Sequence, residues 1–139
     1  MRLLGLDLGE RRIGIAISDP LGITAQAHSV LQRQGSLKED LLELQRIIRE
    51  KEVTQIVLGF PKNMNGTEGP MAEKTKLFGA KLEQVTGIKV VYWDERLSTA
   101  SAQRMLIEAD LSRRKRKMKV DQVAAAIILQ NFMDFQKRN

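Results

Sequence analysis

The sequence predicts an α/β protein built on a mixed five-stranded sheet, antiparallel at its start and parallel later, with helices on both faces. Three observations predict it. Apolar runs of strand length open the chain and are separated by tight turns. From Ser36 onward, stretches with helical spacing alternate with short apolar runs. The chain of 139 residues is 42% hydrophobic, enough for one real core, and no linker or internal repeat divides it. Residues 1–139 are therefore read as one domain.

Leu3–Leu8 and Ile13–Ser18 are apolar runs split by Gly9-Glu10-Arg11-Arg12, a hairpin signal. Asp19-Pro20-Leu21-Gly22 makes a second turn, and Ile23 to Leu31 follows as a weaker third strand. Ser36 and Glu39 have capping-box spacing, so a helix starts there and carries Leu37, Leu41, Leu44 and Ile48 on one stripe. Gln55–Leu58 is a short buried strand. A loop with Gly66 and Gly69 leads to a second helix whose stripe is Met71, Phe78, Leu82 and Val85, stopped at Gly87. Ile88–Trp93 is the last strand, and a short helix is expected from about Thr99 to Ala109. Val120 to Phe135 carries Val120, Val123, Ala124, Ile127, Ile128, Phe132 and Phe135 at helical spacing. The order is β-β-β-α-β-α-β-α-α. Tight turns join the first three strands into an antiparallel meander, and the later strands add in parallel through helical crossovers.

Composition excludes several functions. There is no cysteine, hence no disulfide scaffold and no thiolate metal site. His28 is the only histidine, which excludes a histidine triad or a multi-histidine metal site, and it reads as structural or surface. No phosphate-binding Gly-Lys-Ser/Thr loop and no dinucleotide fingerprint is present. No apolar run reaches membrane-spanning length, and the strand pattern begins at once, leaving no room for a signal peptide. A cytoplasmic protein with no membrane partner is the expectation.

The net charge of +6 is localised. Residues 111–120 hold Arg113, Arg114, Lys115, Arg116, Lys117 and Lys119 with no acid, and elsewhere 17 basic residues balance 17 acidic ones. Such a patch suits a polyanion, although a solvated loop would look the same. Aromatic residues make up only 4% of the chain, so recognition would rest on backbone and shape more than on base stacking.

The acids supply the candidate chemistry. Asp7 interrupts a core strand, Asp94 and Glu95 close the last strand, and Asp121 opens the final helix. In this sheet the first strand and the later parallel strands point the same way, so their C-terminal ends face one crevice. Clustered carboxylates repel unless a cation joins them, and Mg²⁺ accepts such oxygen donors. Each acid also has a plainer reading. Asp7 could start a turn, Asp94 and Glu95 could be a solvated strand end, and Asp121 could complement the helix dipole. Gly59, Gly66 and Gly69 could approach a phosphate or simply serve turns.

The stretches LGLDLGERRIGIAISD, VLGFPKNMNGTEGP, VYWDERLSTASA and VDQVAAAIIL occur in this order over nearly the whole chain. Together they resemble the YqgF family, also called RuvX or the Holliday-junction-resolvase-like family. The resemblance implies a ribonuclease-H-like fold and a nuclease that processes the 5′ end of precursor 16S ribosomal RNA. An alternative it carries is a Holliday junction resolvase acting on DNA. It implies that Asp7, Glu95 and Asp121 are catalytic and hold one or two Mg²⁺ or Mn²⁺ ions. These would activate a water for in-line attack on phosphorus, with the 3′ oxygen leaving. Arg96, Arg113, Arg114, Lys115, Arg116 and Lys117 would contact phosphates. Arg11 and Arg12 could also reach substrate, though a surface turn is the plainer reading. Two other classes fit parts of the pattern. An actin-like ATPase or sugar kinase would need a second such domain, and a non-catalytic ribosome-assembly factor would bind nucleic acid without cleaving it.

Overall fold

The computed structural model describes residues 2–61, 65–94 and 113–138, with side chains of the last segment described over 121–137. The expected helix at Thr99–Ala109 lies outside the described residues. Five strands form one sheet: β1 (Arg2–Leu8), β2 (Arg12–Ser18), β3 (Ala25–Gln32), β4 (Val53–Phe60) and β5 (Val90–Asp94). Their spatial order is β3-β2-β1-β4-β5. β1, β2 and β3 pair antiparallel, whereas β4 pairs parallel with β1 and β5 parallel with β4. The predicted mixed sheet is the observed one, and β1, β4 and β5 end on the same side.

Strand alternation divides the core in two. Leu4, Leu6, Ile13, Ile15, Ile56 and Leu58 face α1 (Leu37–Glu50) and α2 (Pro70–Thr86). Ala16 and Val57 face α3 (Arg113–Arg138), which covers them with Ala125, Ile128, Leu129, Phe132 and Met133. α1 begins as the capping box predicts, with the Ser36 hydroxyl accepting from the Glu39 amide. Behind it, Arg33 Nε donates to Asp40 Oδ2 at 2.9 Å, and Arg33 Nη1 donates to the Gly9 carbonyl at 2.8 Å. Asp40 is only 3% exposed, so this ion pair ties α1 to the end of β3 and the β1–β2 turn from within the protein.

Four expectations change. α3 is helical from Arg113, so the basic run forms its first turns and Asp121 lies inside the helix instead of opening it. The dipole reading of Asp121 therefore fails, because that effect is confined to the terminal turn. The buried stripe of α3 is also rotated: Leu129 and Met133 are core residues, and Phe135 is half exposed while leaning on Trp93 at 5.3 Å between ring centroids. On α2, Thr75 and Gly79 face inward and Val85 is exposed, since the inward line continues from Leu82 to Thr86. In the loop before α2, Gly66 takes a φ of 86°, and Gly69 precedes Pro70 at the start of the helix.

Removing one partner of a buried pair strands the other charge. Asp40→Ala should cost about 3 kcal/mol, read as a lower midpoint in urea unfolding.

Candidate functional site

The site is assembled by a helix lying on bare backbone. A Cβ placed on Gly14 would fall 2.1 Å from the Asp121 carbonyl oxygen, and one on Gly5 would fall 2.7 Å from Leu129 Cβ. Both strands therefore carry glycine where α3 crosses them, and the helix approaches more closely than any side chain would permit. Gln130 fixes the helix along its axis and in rotation. Its Oε1 accepts from the Ala25 amide at 2.8 Å, and its Nε2 donates to the Ile23 carbonyl at 3.0 Å.

This crossing sets two of the predicted acids on one face of the sheet, around Gly14. Asp7 is the direct antiparallel partner of Gly14, so both project from the same face of the sheet. Asp121 sits on that face against Gly14. Asp7 is half-buried near the C-terminal end of β1. The two carboxylate-bearing residues, 114 positions apart in sequence, thus share the end of the sheet that faces α3.

Sequence reasoning undervalued Arg12. It is half-buried and not a surface turn residue: its Nε donates to Asp121 Oδ2 at 2.7 Å. The guanidinium neutralises Asp121 and directs its carboxylate toward the β1–β2 turn. The signal was present in the alternation, because positions 12 and 14 fall on the face that Asp7 also uses. Gly9, Glu10, Arg11, Arg12 and Asp121 line a small cavity of about 240 Å³ at this turn.

Other candidates separate from this pair. Asp94 lines a cavity of about 510 Å³ with Phe60, Glu68, Lys76 and Tyr92. That cavity is on the α2 side of the sheet, where the Tyr92 hydroxyl donates to the Lys76 carbonyl, so Asp94 faces away from Asp7. His28 is exposed on β3 and hydrogen bonds to Ser29. Glu95 and Arg96 follow β5 and lie outside the described residues. Arg113, Arg114, Lys115, Arg116 and Lys117 are placed as backbone in the first turns of α3. Among the described residues, no group of three or more histidine, cysteine or acidic side chains is arranged to hold a metal. The described part of the predicted set is the pair Asp7 and Asp121, both of which are hard oxygen donors suited to a divalent cation.

A family model described as RuvX, Holliday junction resolvase, matches residues 1–135. A relative from Syntrophomonas wolfei called "Putative pre-16S rRNA nuclease" is 58% identical over 134 residues, covering 96% of this chain and 94% of its own. One of the same name from Carboxydothermus hydrogenoformans is 51% identical over the full length of both chains. Among solved structures, RuvC from Thermus thermophilus in complex with a Holliday junction substrate superposes with a TM-score of 0.62 at 11% identity. It covers 98% of this chain and 96% of that one. That similarity establishes the ribonuclease-H-like fold.

The glycine at the crossing is testable. Gly14→Ala should lower stability by about 2 kcal/mol in urea unfolding, because the added methyl group would strike the Asp121 backbone, which has no side-chain freedom to swing aside.

Proposed function

The chain belongs to the RuvX family, and from that premise we propose that it is a metal-dependent nuclease that hydrolyses phosphodiester bonds of precursor 16S ribosomal RNA. The observation that carries the reading is the placement of Asp7 and Asp121 on one face of the sheet around Gly14. Two carboxylate residues on one face at the end of β1 repel unless positive charge lies near, and Arg12 supplies that charge to Asp121. Such a pair makes sense as a ligand set, with Glu95 as the third member. Residues 1–139 act as one domain, and the RNA substrate puts the activity in the cytoplasm.

Asp7, Glu95 and Asp121 would hold a divalent cation, Mg²⁺ or Mn²⁺, which would acidify an attacking water and offset the charge developing at phosphorus. The remaining roles belong to the chain. Asp7, held by the β1–β2 ladder, provides a fixed carboxylate. Asp121 provides one whose orientation Arg12 controls. Arg12, paired with Asp121 at 2.7 Å, stands at the same rim, where its guanidinium would also be placed to contact a phosphate oxygen. No histidine base is required. Arg96 and the basic turns of α3, Arg113–Lys117, track the polynucleotide backbone.

The family description and the relatives' names point to different polymers, a DNA junction and a ribosomal RNA precursor. Digesting both substrates in parallel with Mg²⁺ and with Mn²⁺ decides between them, with cleavage of the RNA expected. Asp7→Asn should lower metal-dependent cleavage by about 10³-fold, close to 4 kcal/mol of transition-state stabilisation, while the circular dichroism spectrum stays unchanged. Full activity of that variant would remove the assignment. Replacing Arg113–Lys117 with serine should weaken binding and reduce the salt slope by about 0.7–0.9 for each phosphate left without its cation. An unaltered slope would make the basic turns bystander surface.

A further inference from the structure

A large cleft elsewhere on the protein is not used by this chemistry. It has a volume of about 850 Å³ and lies between the β1–β2 turn, the start of α1 and the outer face of α2. Leu37, Met71 and Leu77 give its lining an apolar part, and Leu77 is 69% exposed. Arg11, Lys74 and Lys81 stand around that lining as exposed cations, against the acid Glu10. Lys74 and Glu10 approach at 3.7 Å with both side chains mostly in solvent, a contact worth little that a stronger anion displaces.

The cleft has a pre-formed wall. Arg33 lies in it, held by buried Asp40 and by the Gly9 carbonyl, with its guanidinium 5.9 Å from the centre of the Phe78 ring. Gly9 belongs to the turn that also carries Arg12. Glu10 and Arg11 line both the cleft and the small cavity beside Asp121. The turn is therefore a ridge shared by the two depressions. A chain lying against Asp121 needs only to cross that ridge to enter the cleft.

We propose that the cleft is a subsite for a single-stranded RNA segment flanking the cleaved bond, with an unpaired base on Leu37, Met71 and Leu77 and its phosphates on Arg11, Lys74 and Lys81. The inference rests on the nuclease reading and deepens it. The volume is in the range that encloses a small organic group. An apolar floor rewards a base only when the base is unstacked, because a duplex keeps its base faces inside. The excess of cations around the floor selects a polyanion over an apolar peptide. Continuity with the Asp121 cavity selects the substrate itself over an unrelated anion.

The test measures binding without cleavage, by fluorescence anisotropy in EDTA. A blunt RNA duplex is compared with the same duplex bearing a six-nucleotide single-stranded tail. The wild-type chain should bind the tailed RNA about tenfold more tightly. Leu77→Asp and Lys81→Glu are both surface changes on α2, and each should erase most of that preference while leaving affinity for the blunt duplex within about twofold. Equal affinity for tailed and blunt RNA, or a preference unchanged in both variants, overturns the subsite. Because no hydrolysis is read, a chain that prefers tails but cuts nothing with Mg²⁺ or Mn²⁺ would retain the subsite and lose the nuclease. A chain that cuts without preferring tails would do the reverse.

Discussion

The contact on which the architecture depends is the one between α3 and the bare backbone of β1 and β2. Helices usually rest on a sheet through side chains. At Gly5 and Gly14 the sheet has none, and the helix takes up the room. The core on that side follows from the close approach, since Ala125, Ile128 and Leu129 reach Ala16 and Val57. The candidate site follows as well, because the crossing that seats Ala125 over Gly5 brings Asp121 over Gly14, opposite Asp7 on the ladder. Packing and chemistry are set by the same two absent side chains.

Electrostatics then adjusts what packing has fixed. Arg12 and Arg33 flank the β1–β2 turn and are committed in different ways. Arg33 is locked inside, between a buried carboxylate and a backbone carbonyl. Arg12 pairs with a partly exposed carboxylate, so it can exchange that partner. The first is a structural strut. The second stands at the rim of the candidate site, and the difference comes from burial rather than from residue type.

Much of this was readable in advance because its signals are local. Ser36 and Glu39 cap a helix three residues apart, Gly87 ends one with a φ of 71°, and tight turns make hairpins. Asp7 stood out because it broke an apolar run. The unreadable parts depend on partners distant in sequence. The start of α3 was hidden because a run of cations carries no apolar period. Val85 and Phe135 had the right spacing for burial, but which line of a helix faces inward is settled by the neighbouring surface: Tyr92 against Gly79 for α2, and Trp93 for α3. Arg12 was undervalued because its partner is 109 residues away. Glycines within strands at positions 5 and 14 were the one local hint that something would press on them.

The span between Arg12 and Asp121 also governs when the protein becomes itself during synthesis. A nascent chain that has emerged as far as β5 carries all five strands and the residues of the α1–α2 core, yet Leu3, Ala16 and Val57 still lack their cover from α3 and Asp121 is still to come. Translation of the closing segment seals that greasy surface and installs the second carboxylate in a single event.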